Sequence, residues 1–259
     1  MEISSIIGEM PYRLALAGGW IDQPFASRHN PTPPGSMVVV SLSPTRYYME
    51  RSGLASSTRK VATRLWGNRL PPGDPQTLMR ALYEAENHGK TEPSGSQDMA
   101  GLIYPGITRL DYDCAHEGGY FPAHIENNTD PETARWLESC LYLLPVSQRP
   151  NGYNPLAVKH LDPEWIRRLG QSGKECYDAI LTRDIQRLGE SMNECMGCWE
   201  AILPGTVHHQ TLTLDLMSLL RAYQMCYPGA MYSGCGGGYL IVAAEEPVPG
   251  GLKIDIRVC

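Results

Sequence analysis

The chain has 259 residues, of which 42% are hydrophobic and 19% are charged. A chain of this length and composition buries a sizeable core, either as one large domain or as two lobes that share a cleft. Its formal net charge of -6 provides no basic surface, so we expect neither nucleic acid nor an anionic membrane as a partner. Met1–Ile7 has no basic segment and no long apolar segment, and no apolar run reaches membrane-spanning length. We therefore expect a cytoplasmic protein without a signal peptide.

The first predicted strand, Tyr12–Ala17, ends at a glycine pair, Gly18 and Gly19. Glycines after a strand permit backbone geometry that other residues avoid, and here they can direct the following side chains into a cleft. One of those side chains is Asp22. It is either an acceptor for ligand hydroxyls or a turn aspartate bonded to its own backbone, and the sequence leaves both interpretations open.

A hydroxyl-rich stretch, Ser52–Thr58, follows two predicted strands, Met37–Leu42 and Thr45–Glu50, and leads into a predicted helix at Arg59–Trp66. Free N–H groups at a helix start, small residues and hydroxyls together describe a cradle for a phosphate or another anion. An ordinary serine-capped helix has the same pattern. The stretch taken alone is consistent with both.

The next predicted helix, Pro75–His88, carries Glu84 and Glu86 near its end. A polar loop follows and ends at Asp98, where a short helical turn of small residues begins. Asp98 is a candidate general base, but an aspartate at the start of a helix is more often a cap.

The rest of the chain contains short strand patterns first and helical patterns later. Further strands are predicted at Ile107–Asp111, Tyr120–Ile125, Leu141–Val146 and Ile254–Val258. Helices are predicted at Pro163–Leu181, Asp184–Cys198 and Leu212–Met225. The polar turn region Asn127–Glu132 is the candidate boundary between two lobes.

Eight cysteines are scattered along the chain, and a chain of this size does not need disulfides to fold. Cys195 and Cys198 form one CxxC pair with no second pair at zinc-finger spacing, so we expect buried thiols. Apolar residues around the pair recur at helical spacing and predict a stripe that faces the core: Ile185, Leu188, Met192, Cys195 and Met196. Adjacent side chains point apart on any regular element, so we expect no metal at His208 and His209.

A glycine-rich loop near the C-terminus has glycines at positions 234, 236, 237 and 238, between short apolar segments. Glycine is a poor choice for packing inside strands, but it lets the backbone approach another group closely. The loop is therefore expected to approach either a phosphate or another loop.

Three separated segments, Pro11–Asp22, Gly53–Thr58 and Ser233–Gly238, resemble the three motifs of the GHMP small-molecule kinases. This superfamily includes galactokinase, homoserine kinase, mevalonate kinase and phosphomevalonate kinase. The Ala-Gly-Gly-Trp form of the first motif and the segment Gly95–Asp98 are most similar to the fucokinase and heptose-phosphate kinase branches. The order and rough spacing of the motifs match over nearly the whole chain.

The resemblance implies an α+β, two-lobed GHMP-kinase fold with ATP and substrate between the lobes. The N-terminal lobe, residues 1–130, would be a mixed α/β lobe similar to domain 2 of ribosomal protein S5 and would carry the phosphate loop. The C-terminal lobe, residues 131–259, would be ferredoxin-like. The segment between the first two motifs is shorter than family members usually have, which implies a shortened N-terminal lobe.

The resemblance further implies an ATP-dependent kinase that transfers the γ-phosphoryl group to a hydroxyl of a sugar or sugar-like molecule, with Mg²⁺ required. The catalytic residues would be Asp98 and Arg13. The ATP phosphates would lie against Gly53, Leu54, Ala55, Ser56, Ser57, Thr58, Gly236 and Gly237. The metal would be held by Ser57, Thr58 and Glu86, or by Glu84 if the register differs. The substrate would contact Asp22, Trp20, Gly19 and Gly234.

Two classes of function remain open at this stage. The first is the sugar kinase, which is favoured by the reactive side chains that the motifs retain. The second is a catalytically silent protein of the same fold that binds a small ligand or a partner protein, which is favoured by the short segment available for adenine. We expect a small-molecule substrate in the first case and consider a homodimer in both.

Overall fold

The computed structural model of the chain describes residues 10–259. The expected absence of a signal peptide concerns Met1–Ile7, which lies outside those residues. Over the described part of the chain, no helix combines the length and the apolar character needed to span a membrane.

The first sheet is built from four antiparallel strands, and their order in the sheet is their order in the chain. The strands are β1 Tyr12–Ala15, β2 Gly35–Leu42, β3 Ile107–Tyr112 and β4 His124–Asn128. Leu14 pairs with Val40, and Leu110 pairs with Ile125. Every residue of β1 and β2 is buried, so both faces of these strands are covered, as a continuous apolar run predicts.

The second sheet is also antiparallel and has four strands: β5 Leu141–Ser147, β6 Gly229–Gly234, β7 Gly237–Ala243 and β8 Leu252–Lys253. Their order in the sheet is β6-β7-β5-β8. Because Gly234 pairs with Gly237, the glycine-rich loop is the tight turn of the β6–β7 hairpin.

The helices are α1 Pro24–Ser27, α2 Ser56–Trp66, α3 Pro75–Asn87, α4 Gln97–Ile103, α5 Pro131–Cys140, α6 Pro163–Thr182, α7 Ile185–Ile202 and α8 Leu216–Cys226. Many of them begin after an aspartate whose carboxylate accepts a hydrogen bond from the first turn. These caps are Asp74, Asp130, Asp162, Asp184 and Asp215. Such local signals explain why the long helices were predictable.

Helices α6 and α7 join the two sheets, because α6 packs on β2, α7 packs on β6, and the helices pack on each other. Glycines make these contacts close. A Cβ atom on Gly173 would lie 2.0 Å from the Ser36 carbonyl oxygen, and one on Gly189 would lie 2.3 Å from the Pro228 carbonyl oxygen. Since α6 follows residue 130 in the chain but contacts the first sheet, the division into residues 1–130 and 131–259 stays a prediction.

The predicted α+β fold class is confirmed, but two predicted strands are wrong. Thr45–Glu50 is irregular, because its backbone bonds a side chain of the second sheet instead of a neighbouring strand. The Met49 N–H donates to the hydroxyl of Tyr239 in β7 at 2.8 Å. Within the described residues, Ile254–Val258 makes one isolated bridge to β2, because its other backbone groups bond separate partners. Besides the Ser41 carbonyl oxygen at the end of β2, these are the Ser43 N–H, the Gly106 N–H and the Glu138 carboxylate. Tyr48, Ile254 and Ile256 are buried although neither segment forms a strand ladder.

The region around the proposed lobe boundary also differs from the prediction. The strand predicted at Tyr120–Ile125 begins only at His124, after a short 3₁₀ turn at Glu117–Gly119. Asn127–Glu132 contains the end of β4 and the capped start of α5, and its role as a lobe boundary stays a prediction. The ten-residue helix α5 was missed because its buried stripe is short.

Candidate functional site

A cleft of about 540 Å³ is lined by residues from both sheets and from the helices around them. It collects most of the reactive residues that the sequence assigned to a site. Those that line it are Arg13, Gly19, Trp20, Asp22, Gly53, Ser57, Glu86, Asp98 and Gly234. The other assigned residues are not among those that line the cleft: Leu54, Ala55, Ser56, Thr58, Gly236 and Gly237.

An ion pair between Arg13 and Asp98 lies in the cleft wall. Arg13 also donates from Nη1 to the Gly53 carbonyl oxygen at 3.0 Å, and Thr58 donates from Oγ1 to Asp98 Oδ2 at 3.2 Å. The interpretation of Asp98 as a helix cap is wrong, because Ser96 holds that position and Asp98 lies in the first turn of α4. Burial lowers the pKa of Arg13 to about 10, so Arg13 remains a cation at neutral pH.

The start of α2 faces the cleft without a side-chain cap. Its N-cap residue is Ala55, in the left-handed region at φ 55°, and Ser56 Oγ instead accepts a hydrogen bond from the Arg51 N–H. The serine-capped interpretation is therefore wrong. The exposed hydroxyl of Ser57 lines the cleft beside the first-turn N–H groups, which gives this helix start the chemistry of an anion cradle.

The glycine-rich hairpin turn packs against the hydroxyl-rich stretch Ser52–Thr58. Gly53 has φ +82°, and a Cβ atom there would lie 2.3 Å from the Ser233 carbonyl oxygen. Ser233 Oγ donates to the Ser52 carbonyl oxygen at 2.5 Å and accepts from the Tyr239 N–H at 2.9 Å. The glycine-rich turn was expected to approach either a phosphate or another loop, and it contacts another loop, the one that contains Ser52 and Gly53.

Glu86 is the better placed of the two candidate metal-binding glutamates. Its side chain is 6% exposed, it lines the cleft, and its Oε2 atom has no hydrogen-bond partner in the described residues. Lys90 Nζ lies 3.6 Å from Oε1. Glu84 is exposed and does not line the cleft. A buried carboxylate oxygen without a partner, in a cleft with the Ser57 hydroxyl, fits a hard cation such as Mg²⁺.

Asp22 is buried at the floor of the cleft, 2% exposed. Its Oδ2 atom lies against Gly95, where a Cβ atom would be 1.7 Å away, so only glycine fits at that position. Burial raises the pKa of Asp22 to about 6, opposed by the charge of Arg13 and by hydrogen bonds from backbone groups at 20, 22 and 97. Asp22 thus accepts hydrogen bonds from its own backbone turn, as one interpretation held. It also lines the cleft, and its role as an acceptor for ligand hydroxyls stays a prediction.

Replacing Asp22 with asparagine is expected to change how stability depends on pH. Because the pKa of Asp22 is raised on folding, the folded state binds more protons than the unfolded state between about pH 4 and pH 6. The contribution of this raised pKa to the free energy of unfolding is largest below about pH 4 and is lost as the pH rises through about 6. Relative to Asp22→Asn, the wild type should lose on the order of 2 kcal/mol of unfolding free energy between pH 4 and pH 7. Urea unfolding of both proteins at several pH values measures this difference, and a difference independent of pH would contradict the assignment.

An aromatic wall stands beside Asp22. The Trp20 ring lies 6.4 Å from Phe25 and 6.3 Å from Trp199, centroid to centroid. Trp199 Nε1 donates to the Gly19 carbonyl oxygen at 3.1 Å, which holds the glycine pair against α7. Flat aromatic faces next to a hydrogen-bonding carboxylate suit a ligand that has both C–H faces and hydroxyls.

The Met/Cys stripe of α7 is core, as predicted: Leu188, Met192, Cys195 and Met196 are buried, and Ile185 is partly buried against the core. The Gly18 N–H donates to Cys195 Sγ at 3.3 Å, and burial raises the pKa of that thiol to about 12. His208 contacts Glu200, while His209 contacts Thr211. Within residues 10–259, no group of three or more His, Cys, Asp and Glu side chains is arranged to hold a metal ion.

A comparison with models of protein families gives no match, and neither does a comparison with curated proteins. Solved structures do match over nearly the whole chain. One is a D-glycero-D-manno-heptose 1-phosphate kinase from Bacteroides thetaiotaomicron, with a TM-score of 0.60, 15% identity, and coverage of 95% of this chain and 94% of that chain. Another is the mevalonate kinase of Methanococcus jannaschii, with a TM-score of 0.57, 12% identity, and coverage of 91% and 89%. A third is the L. major mevalonate kinase in complex with R-mevalonate, with a TM-score of 0.55, 10% identity, and coverage of 92% of this chain and 87% of that chain.

The chain has the GHMP-kinase fold. This GHMP-kinase fold also brings into the cleft several polar residues that the sequence interpretation did not assign. Gln97 lines the cleft, and its buried Oε1 atom has no hydrogen-bond partner in the described residues. Arg149 and Lys159 reach the cleft from the segment between β5 and α6, where Lys159 Nζ lies 5.1 Å from the centre of the Phe25 ring. A turn-rich loop was the only sequence signal for Arg149, and it carries no information about what the loop covers.

Proposed function

We propose that this protein is an ATP-dependent kinase that transfers the γ-phosphoryl group to a hydroxyl of a sugar or sugar-like small molecule. The observation that carries the proposal is the Arg13–Asp98 pair, held between the uncapped start of α2 and the buried carboxylate of Asp22. A phosphate cradle, a carboxylate and a hydroxyl-binding group then share one cleft. The GHMP-kinase fold of the chain supports the same chemistry.

The ATP phosphates would lie at the first-turn N–H groups of α2, over the loop that starts at Gly53. Mg²⁺ would be held by Ser57 and Glu86 together with phosphate oxygens, and it would neutralise charge on the phosphates. Thr58 has a different place, because its hydroxyl is buried and already donates to Asp98. Thr58 would therefore hold Asp98 in position.

The acceptor would lie between Asp22 and the aromatic wall formed by Trp20, Phe25 and Trp199. Asp98 would accept the proton of the attacking hydroxyl as the new O–P bond forms. The bond from the γ-phosphorus to the bridging oxygen breaks, and ADP leaves with that electron pair. Arg13 would stabilise negative charge on the transferring group, since it remains a cation beside Asp98.

A screen for ADP release tests the proposed function. The purified protein would be incubated with Mg-ATP and single sugars, sugar phosphates and polyols, and ADP would be measured by a coupled assay. We expect ADP to form only when at least one of the acceptors is present. The amount of phosphorylated acceptor should equal the amount of ADP. ATP binding without acceptor-dependent ADP formation, over a broad set of acceptors, would favour the silent protein instead.

Replacing Ser57 with alanine should weaken Mg-dependent nucleotide binding by about 3- to 10-fold, which corresponds to the loss of one hydroxyl ligand or hydrogen bond. Binding measured in the presence of EDTA should change less, since the hydroxyl acts through the metal. Ser139→Ala is the control, because Ser139 Oγ bonds only the Trp136 carbonyl oxygen outside the cleft. Equal ATP affinity of Ser57→Ala and the wild type with Mg²⁺ would remove Ser57 from the metal site.

A further inference from the structure

Arg149 is fixed at the junction of the phosphate loop and the glycine-rich turn. Its backbone N–H donates to the Arg51 carbonyl oxygen at 3.1 Å, and its Nε donates to the Cys235 carbonyl oxygen at 3.1 Å. A Cβ atom on Gly234 would lie 3.2 Å from Nη2. Glycine at 234 therefore leaves room for the guanidinium beside the turn, where Arg149 lines the cleft.

The two Nη groups of Arg149 make no hydrogen bond within the described residues, and the guanidinium carbon lies 6.0 Å from the centre of the Tyr153 ring. No carboxylate of those residues lies within ion-pair distance. Arg13 is close enough that the charge of Arg149 contributes, after burial, to lowering the pKa of Arg13. Arg13 and Arg149 thus both line the cleft. Within the described residues, Arg13 forms an ion pair with Asp98, whereas Arg149 forms none.

A guanidinium that has no carboxylate partner and lies near a second cation favours the binding of an anion. The anion relieves the repulsion between the two cations and accepts hydrogen bonds from the free Nη donors. A guanidinium held by Nε presents its two Nη groups as a fork, which matches two oxygens of one phosphate. The walls of the cleft lower the local dielectric and strengthen the interaction. Lys159 is a weaker candidate, since it is exposed and lies over the Phe25 ring.

We propose that Arg149 binds a phosphoryl group in the cleft through its two Nη donors and is a further substrate-binding residue of the kinase site. This inference rests on the proposed function. The phosphoryl group comes either from the terminal phosphate of ATP or from a phosphate that the acceptor sugar itself carries. The chemistry at Arg149 is the same in both cases, so binding measurements must separate the two sources.

The test is calorimetry with wild type, Arg149→Gln and Arg149→Lys, using Mg-ATP, Mg-ADP, glucose 1-phosphate and glucose 6-phosphate as probes. Arg149→Gln should weaken binding of one class of probe by roughly tenfold or more, as expected for one charge-assisted pair. A loss for Mg-ATP that exceeds the loss for Mg-ADP identifies the terminal phosphate. A loss confined to the sugar phosphates, measured with Mg-ADP present, identifies the acceptor. Arg149→Lys should retain part of the affinity, because it keeps the charge and loses the fork.

Arg51→Gln is the matched control. Arg51 is a guanidinium at the same loop junction, but its Nη groups bond Asn151 and the Pro150 carbonyl oxygen, and it does not line the cleft. Its affinities should stay within about twofold of the wild type. Unchanged binding of every probe by Arg149→Gln, or an equal loss in Arg51→Gln, would overturn the inference and leave the kinase proposal intact. Failure of the wild type to bind any probe would overturn both.

Discussion

Replacing Asp98 with asparagine is expected to lower the turnover number by about 10³-fold, within the range that a general base contributes. Asparagine keeps the shape of the side chain but cannot accept the proton of the acceptor hydroxyl. The affinity for Mg-ATP should change little, because Asp98 lies outside the stretch proposed to hold the phosphates, Gly53–Thr58. A coupled assay for ADP release gives turnover, and calorimetry gives affinity. Retained turnover in Asp98→Asn would remove Asp98 from the role of base.

The same substitution also leaves Arg13 without its carboxylate. Arg13 is 5% exposed, and removing one partner of a buried pair costs roughly 3–5 kcal/mol. Thermal unfolding must therefore confirm that the variant is folded at the assay temperature. Asp98→Glu is a second variant, which keeps the negative charge but moves the carboxylate by one methylene group. Compared with Asp98→Asn, it should regain more of the stability than of the turnover. Asp74→Asn is the control, since Asp74 caps α3 away from the cleft and asparagine is an equally good cap.

Replacing Gly53 with alanine is expected to reduce ATP affinity by roughly tenfold or more, about 1.4 kcal/mol of binding free energy. The new Cβ atom would lie 2.3 Å from the Ser233 carbonyl oxygen and 2.6 Å from the Gly234 nitrogen. These are backbone atoms that cannot rotate away. The stretch Ser52–Thr58 must then separate from the glycine-rich turn, which moves the Gly53 carbonyl away from Arg13.

Gly89→Ala separates this clash from backbone strain. Gly53 and Gly89 both have positive φ, at +82° and +74°, but nothing lies within 4 Å of a Cβ atom on Gly89. Both variants should lose about 1–2 kcal/mol of stability from the left-handed backbone. Only Gly53→Ala should also lose ATP affinity. If both variants bound ATP as the wild type does, the contact between the two loops would not shape the nucleotide site.

The fold was predictable from the sequence where local signals were strong. Asp162 and Pro163 mark the start of α6, and the glycine turn at 234–238 marks the β6–β7 hairpin. Thr45–Glu50 had the composition of a strand but is irregular, because its partner is the Tyr239 hydroxyl rather than a neighbouring strand. Which distant group satisfies a backbone N–H is decided by packing, and a local pattern contains no information about it.

Some residues of the candidate site were likewise predictable from local sequence, and others were not. Residues within motifs, such as Arg13, Asp22 and Asp98, were identified because each motif limits the residue types at fixed spacing. The choice between Glu84 and Glu86 needed the helix phase of α3 in three dimensions, since both lie near its end. Arg149 could not be found, because its importance comes from Gly234 and Cys235, which are far away in the chain.

Calorimetric titration of Mg-ATP into the wild-type protein tests the central claim most directly. The account predicts saturable binding with a dissociation constant in the micromolar range, which weakens strongly when EDTA removes Mg²⁺. Such a result would establish the uncapped start of α2 as a nucleotide site despite the short segment available for adenine. No detectable binding at millimolar Mg-ATP would contradict the account, and the cleft would then belong to a protein of GHMP-kinase fold that does not use ATP.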